Sequence, residues 1–173
     1  MNIKQVIDID SETESTIKEL LNLAYEGDFG PEDWEHTFGG RYFIGYLNGT
    51  IIAHGSVVPR KMFIDGEERI VGYVEAIGVL PDKWRQGFGS KLMAEITEFC
   101  LQTYEISMLS SEERDFYSRL GWQQFFGASF VQDGDLEVRT EEEDEGLMVL
   151  TRIKGGARDI KRAVCQSRSG DSW

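Results

Sequence analysis

No stretch of this 173-residue chain is long, apolar and free of charge enough to span a membrane. The first residues, Met1-Asn2-Ile3-Lys4-Gln5, lack the basic and apolar regions of a secretory signal. Cysteine is scarce: Cys100 and Cys165 show no metal-ligand spacing, so no metal site is expected, and both read as ordinary cytosolic thiols. A cytoplasmic protein is the resulting expectation. Basic charge is also in deficit, with 18 Lys and Arg against 31 Asp and Glu and a formal net charge of −13. An acidic surface repels phosphates, which argues against nucleic acid and anionic membranes as partners and would attract a polycation. Charge alone does not fix a function, and the run Glu141-Glu142-Glu143-Asp144-Glu145 reads as a solvated turn, since packed like charges repel. Internal repeats and linkers are absent too. With 40% hydrophobic and 12% aromatic residues, the composition predicts one globular domain over residues 1–173.

The pattern of residues supplies the elements. Residues 2–7 read as a strand; Asp10 and Ser11 before Glu14 form a capping-box arrangement, and Ile17, Leu20, Leu21 and Ala24 follow at helical spacing up to Gly27. A loop, Asp28-Phe29-Gly30-Pro31, opens a short second helix through Asp33, Trp34 and His36, stopped by Gly39-Gly40. Strands at 42–46 and 51–58 flank Asn48-Gly49, a strong hairpin signal, and a second hairpin around Asp65-Gly66 would join residues 61–64 to 69–79. Residues 87–101 form a helix with Leu92, Met93, Ile96 and Phe99 on one stripe. A short strand at 106–109, a helix at 112–120 closed by Gly121, and strands at 122–130 and 147–153 complete the chain. An antiparallel meander combined with a parallel crossover predicts an α+β fold, one central mixed, mostly antiparallel sheet with helices on it.

The stretch Val79-Leu80-Pro81-Asp82-Lys83-Trp84-Arg85-Gln86-Gly87-Phe88-Gly89-Ser90 carries the most chemistry. A strand ends, a short loop follows, and two glycines spaced by one residue open a helix. Glycine lets the backbone approach a ligand, and a helix start offers unpaired N–H groups and a positive dipole end, a combination that binds a diphosphate. A glycine pair can equally make only a tight turn. The stretch is not a Walker loop and lacks the three-glycine dinucleotide spacing. Glu75, in a strand otherwise apolar from Ile70, is either a bulge or edge position facing water, or a base acting through water or an anchor for a cationic amine.

This loop resembles the signature of the GNAT acetyltransferases, Gln/Arg-x-x-Gly-x-Gly/Ala, preceded by a strand ending in a Val-x-Pro turn. Gly87 and Gly89 fill the glycine positions, while Trp84 stands where Arg or Gln is usual. The resemblance implies a GNAT fold with strands splayed at an acetyl-CoA site, between residues 74–79 and 106–109. It implies that backbone groups of Arg85, Gln86, Gly87, Phe88, Gly89 and Ser90 hold the diphosphate. Backbone groups of Ile77 and Val79 would pair with the pantetheine arm, an N–H there polarising the thioester carbonyl. Tyr117, in a Tyr-x-x-x-Gly-Trp pattern, would be the general acid beside the coenzyme sulfur; taken without the family, it is a core tyrosine on an amphipathic helix.

Further blocks, Gly27-Asp28-Phe29, Asp33-Trp34-Glu35-His36-Thr37-Phe38-Gly39-Gly40, Gly72-Tyr73-Val74-Glu75, Leu109-Ser110-Ser111 and Gly170-Asp171-Ser172-Trp173, are similar to those of aminoglycoside 2′-N-acetyltransferases in the same order. That resemblance implies direct transfer from acetyl-CoA to a 2′-amino group of an aminoglycoside, with antibiotic resistance as the outcome. Asp28, Asp33, Glu75, Ser110, Asp171 and Trp173 with a terminal carboxylate would contact the cationic sugar. From the residues alone, Asp28 and Asp33 read as helix-cap and first-turn acids, and His36 and His54 as structural. Gln166-Ser167 replaces the acid and aromatic ring usual before the terminal block, and residues 111–116 are shortened, so a different amino sugar such as kasugamycin is a candidate substrate. Another small amine or polyamine, and a non-catalytic drug binder, are the rival readings. The oligomeric state, a homodimer among the options, stays open.

Overall fold

Asp10 ends the first extended segment and starts the first helix. In the computed structural model, which describes residues 1–173, β1 (Asn2–Val6) leads to α1 (Ser11–Ala24) with Asp10 as its N-cap. The Asp10 carboxylate accepts from the Thr13 N–H at 2.7 Å, satisfying a donor that the helix cannot. Glu14, the anticipated capping-box partner, lies one position too far along to reach back, and pairs instead with Lys18. In α2 (Pro31–Glu35), Pro31 occupies the first turn, and an Asp33 carboxylate oxygen accepts from the Gly30 N–H at 2.7 Å.

The strands β2 (Arg41–Leu47), β3 (Thr50–Ile64) and β4 (Glu67–Val79) follow as two hairpins. Both turns, Asn48-Gly49 and Asp65-Gly66, have two successive residues at positive φ, as two-residue hairpins on twisted strands require. The expected break between residues 58 and 61 does not occur. β3 runs unbroken for 15 residues, because Pro59 fits an extended φ and needs only a position where no ladder donor is wanted. After β4 come α3 (Phe88–Thr103), β5 (Ile106–Ser110), α4 (Arg114–Ser118), β6 (Gln123–Gln124), β7 (Ala128–Asp133), β8 (Leu136–Arg139), β9 (Leu147–Thr151) and β10 (Arg162–Gln166).

The chain divides into two compact units, and β3 and β4 contribute residues to both. The first comprises Met1–Val58 and Val74–Glu98. There β1, β2 and β3 pair antiparallel in sequence order. Ile17, Leu20 and Leu21 of α1 bury one helical stripe against Trp34, Tyr42 and Ile44. A Cβ on Gly78 of β4 would meet Leu21 at 2.8 Å, so the absent side chain lets α1 lie close to the strand. A Cβ on Gly55 of β3 would strike Ile77 and come within 2.7 Å of Ile96 of α3. His54 and Ser56, the neighbours of Gly55, therefore face the side opposite α3, where His54 meets Trp34 and Tyr42 with ring centroids 5.9 Å apart in each case.

The second unit comprises Pro59–Tyr73 and Phe99–Trp173. β5 runs parallel to β4 through two pairs only, Gly72 with Ser107 and Tyr73 with Met108. β9 lies antiparallel to β5, and β6 to β9. On the other side β10 pairs antiparallel with β3, parallel with β7, and β7 antiparallel with β8. Met62, Val71, Tyr73, Met108, Val149, Cys165 and Trp173 meet in its core. The anticipated strand over 122–130 is two strands, since Gly127 passes so close to the Lys161 backbone that a Cβ would lie 2.6 Å from it. β8 and β10 were not anticipated: one is short, exposed and half charged, the other gains its apolar surroundings only from strands distant in sequence. Strands paired in both senses and packed with helices make this the α+β fold expected. No helix is long and apolar enough to cross a membrane.

Candidate active site

In the first unit the loop after β4 turns tightly into the next helix. Leu80 N–H bonds the Ile52 carbonyl at 2.9 Å, a 3₁₀ turn spans Pro81–Lys83, and the chain then turns through Arg85 and Gly87, at φ of 59° and 82°. These two positive-φ residues turn the chain sharply from the extended Trp84 into the start of the next helix. The Gly87 carbonyl accepts from the Lys91 N–H at 3.0 Å, the first bond of α3. The N–H groups of Phe88, Gly89 and Ser90 thus precede any helical acceptor. One side chain closes the loop on itself and another holds it to the strand end. Gln86 donates to the Asp82 carbonyl at 3.0 Å, and the Trp84 indole N–H donates to the Val79 carbonyl at 2.7 Å. Trp84, irregular against the signature, has this fastening role.

Upstream of that loop β4 is bulged. Ala76 has a φ of 52°, a left-handed conformation costing a residue with a Cβ about 1–2 kcal/mol. The Ala76 carbonyl accepts from His54 Nδ1 at 2.9 Å, and the Glu75 carbonyl from the Ser56 hydroxyl at 3.2 Å. Burial pushes the His54 imidazole down to about 4, only partly opposed by its bond to Ala76. It is neutral, Nδ1 carries its proton, and Nε2 is buried without a protein partner. Glu75 is half-buried next to the bulge, in keeping with the bulge position that was one of its two readings. Asp28 is exposed in the loop before α2, while Asp33 is half-buried and serves as the cap of that helix.

In the second unit Tyr117 of α4 is buried, packed edge-on against Phe116 and Trp122. Burial pushes its phenol up to about 12; a hydrogen bond with the Ser111 side chain lowers it and the Glu113 charge adds to the rise. The phenol therefore keeps its proton throughout the neutral range. Ser111 also lines a pocket of about 510 Å³, with Ser110, Glu112, Arg114, Glu142, Glu143 and Glu145 around it. The acidic run read as a solvated turn supplies three of these carboxylates, because Gly146 and β9 fold the run back over the end of β5. Its fourth acid, Asp144, turns inward: burial would raise its carboxyl, but bonds from Arg139 and Ser129 hold it below the ordinary value. Glu143 is raised, first by burial, then by the charges of Asp171 and Glu142.

That coupling ties the tail to the pocket. Asp171 is exposed, with one carboxylate oxygen accepting from the Trp173 N–H at 3.0 Å. Arg60 donates to the Ser172 carbonyl at 2.7 Å, Arg168 to the Asp171 carbonyl at 2.7 Å, and both guanidiniums lie over the Tyr73 ring. Trp173 itself is in the core, 4% exposed, its indole N–H on the Thr140 hydroxyl at 3.0 Å. Ser110, Tyr117 (through Ser111) and Asp171 (through Glu143) are thus brought to one pocket, which the Trp173 ring does not line. Gln166 and Ser167 lie at the β7 end of β10, where Ser167 bonds Gln132 and Asp133, and neither lines that pocket. Glu112, Glu142, Glu143 and Glu145 were missed as pocket residues; for the last three the signal available was five consecutive acids just before an apolar strand.

Residues 5–125 match the family described as Acetyltransferase (GNAT) domain. The aminoglycoside 2′-N-acetyltransferase of Mycolicibacterium fortuitum is 33% identical over 172 residues, covering 96% of this chain and 88% of that one. Among solved structures, the GNAT family N-acetyltransferase YhbS from Escherichia coli, in complex with CoA, superposes with a TM-score of 0.70 at 16% identity, covering 98% of this chain and 93% of that one. A GCN5-related N-acetyltransferase from Kribbella flavida gives 0.61 at 19% identity over 73% of this chain, which spans only 34% of that longer protein. At such identities the solved structures bear on the fold alone.

Proposed function

We propose that this chain, which belongs to the GNAT acetyltransferase family, moves the acetyl group of acetyl-CoA onto the 2′-amino group of an aminoglycoside-type antibiotic. Membership makes it an acyltransferase that uses acetyl-CoA to acetylate an amine. The sugar, the nitrogen, direct transfer in a ternary complex, and resistance as the outcome are our reading.

The observation that carries it is the pocket of Ser110, Ser111 and four glutamates, coupled to Asp171. A sugar bearing several ammonium groups wants charge-assisted acceptors for the amines and hydroxyls for the rest. In the mechanism we infer, the diphosphate lies on the N–H groups of residues 85–90, the arm pairs with Ile77 and Val79, and Asp28, Asp33, Glu75 and Asp171 complete the substrate contacts, while the buried Trp173 ring anchors the tail that carries Asp171. The amine nitrogen attacks the thioester carbonyl carbon as a neutral group. Glu75, through a water, takes the proton it sheds. The C–S bond breaks as the tetrahedral intermediate collapses, and the departing sulfur receives the Tyr117 proton. A phenol near 12 is a weaker acid than a thiol, which titrates near ~8.5, so Tyr117 acts first as a hydrogen-bond donor to the developing thiolate.

Carboxylates accept from an ammonium group whether or not a sugar carries it, so a polyamine is the second reading the same pocket supports. Incubating the enzyme with acetyl-CoA and a panel of aminoglycosides, kasugamycin, polyamines and peptides, then locating the acetylated nitrogen by NMR, separates the two. Acetylation of 2′-amino groups is expected; turnover of polyamines alone would overturn the aminoglycoside reading.

A further inference from the structure

The bulge at Ala76 is held from outside its own strand. His54 and Ser56 stand two residues apart on β3, so their side chains share a face. One donates to the carbonyl of Ala76 at 2.9 Å and the other to the carbonyl of Glu75 at 3.2 Å. A regular strand turns successive carbonyls in opposite directions. Here the φ of 52° at Ala76 brings two consecutive ones to side chains on the same face. No peptide bond in the chain is cis, and in a planar trans peptide the C=O and the N–H point opposite ways. With both carbonyls drawn toward His54 and Ser56, the N–H groups of Ala76 and Ile77 turn together away from them.

We propose that His54 and Ser56 are positioning residues that lock the β4 bulge so that the Ile77 N–H is aimed at the acetyl carbonyl oxygen of acetyl-CoA. The proposal rests on the reading of Ile77 as the donor to that carbonyl. His54 suits the task because nothing competes for its proton. Trp34 and Tyr42 pack its ring, and a second proton on Nε2 would find no protein acceptor, so the neutral Nδ1–H form persists. Gly55 between them contributes by absence, leaving room for Ile77 to lie flat across β3. A preorganised donor needs no reorientation when charge develops on the oxygen, which is where such groups gain most.

The test uses the carbonyl stretch of bound [1-¹³C]acetyl-CoA, which falls in frequency when the oxygen accepts a strong hydrogen bond. In His54→Asn the amide nitrogen can take the place of Nδ1; in His54→Gln the donor sits where Nε2 was. The wild type and His54→Asn are expected to show the lowered stretch. His54→Gln should return it toward the value of free acetyl-CoA and lose about ten-fold or more in kcat with unchanged affinity for CoA. Ser56→Ala, a milder change that spares the fold, should move the stretch part of the way. Equal losses in His54→Asn and His54→Gln, or a wild-type stretch in folded His54→Gln, would overturn the proposal. Wild-type enzyme that binds acetyl-CoA without lowering the stretch would overturn the role of Ile77 as well. A lowered stretch in an enzyme that acetylates no aminoglycoside would leave the brace standing and remove only the substrate.

Discussion

Tyr117 shows how burial sets the role of a single group. A phenol held near 12 by desolvation stays protonated through the neutral range, so in the proposed mechanism it always has a proton to donate, at the cost of acidity. Tyr117→Phe keeps the edge-on packing with Phe116 and Trp122 and removes only the donor. Its kcat should fall about 10²-fold or more while both KM values stay within a few-fold, read by initial rates with each substrate varied. Glu143 poses the opposite case. Its carboxyl is raised by burial, Asp171 and Glu142, so as pH falls it protonates before acids at their ordinary values, and a cationic substrate loses that partner first. Affinity for the amine is therefore present above the raised value and lost as pH drops through it. Glu143→Gln should weaken binding at neutral pH and flatten the acid limb of kcat/KM; an unchanged acid limb would remove Glu143 from the substrate contacts. Tyr117 was singled out by the resemblance of its spacing to Gly121-Trp122, and its burial matches the core reading of the residue alone. Glu143 was not, because a run of acids looks the same in solvent as it does around a pocket.

At the scale of elements, the two hairpins and the loop before α3 were readable because their signals are local: Asn48-Gly49, Asp65-Gly66 and Gly87 each sit at positive φ where only a few residues are comfortable. The bulge in β4 had no such signal. Ala76 carries a Cβ, and its left-handed φ is sustained by side chains 20 or more residues earlier on β3. Gly55→Ala tests how tightly those strands are matched. The new Cβ would strike Ile77 and approach Ile96 at 2.7 Å, and both would have to shift. A loss of about 1–3 kcal/mol in chemical denaturation is expected, with acetyl-CoA turnover reduced further than stability alone explains. β10 marks another limit, since its core-facing character comes from β3 and β7, and neither is near it in sequence.

At the scale of the whole molecule, one buried histidine links folding to acidity. His54 titrates near 4 when folded and near 6.5 when free, because its charged form is desolvated and finds no second acceptor. Its folded value is depressed, so its neutral packing contributes fully above pH 6.5 and is lost as pH falls from there toward 4. The linked loss amounts to about 3 kcal/mol. Urea titrations at pH 7.5 and pH 5 should show the wild type losing more stability than His54→Asn. The tail bears on stability, beyond the substrate role proposed for it. Removing Ser172 and Trp173 takes a buried indole from the core of the second unit, costing about 3–5 kcal/mol, and releases the Arg60 donor. A thermal shift close to zero would show that the tail packs less firmly than its burial indicates.

The −13 charge, the helical stripe of α1, the hairpin turns and the glycine-opened α3 follow from residues close together in the chain; the pattern of elements sufficed to anticipate an α+β fold, and the resemblance of the loop before α3 to a known signature supplied the acetyltransferase. Each depends on short-range sterics or on periodicity, which a linear sequence records. Tertiary structure alone decided that Glu142, Glu143 and Glu145 ring a pocket, that the Trp173 ring lies in a core, and that His54 and Ser56 brace Ala76. Those outcomes depend on which distant strand becomes a neighbour, and on the burial and hydrogen-bond partners that neighbour supplies.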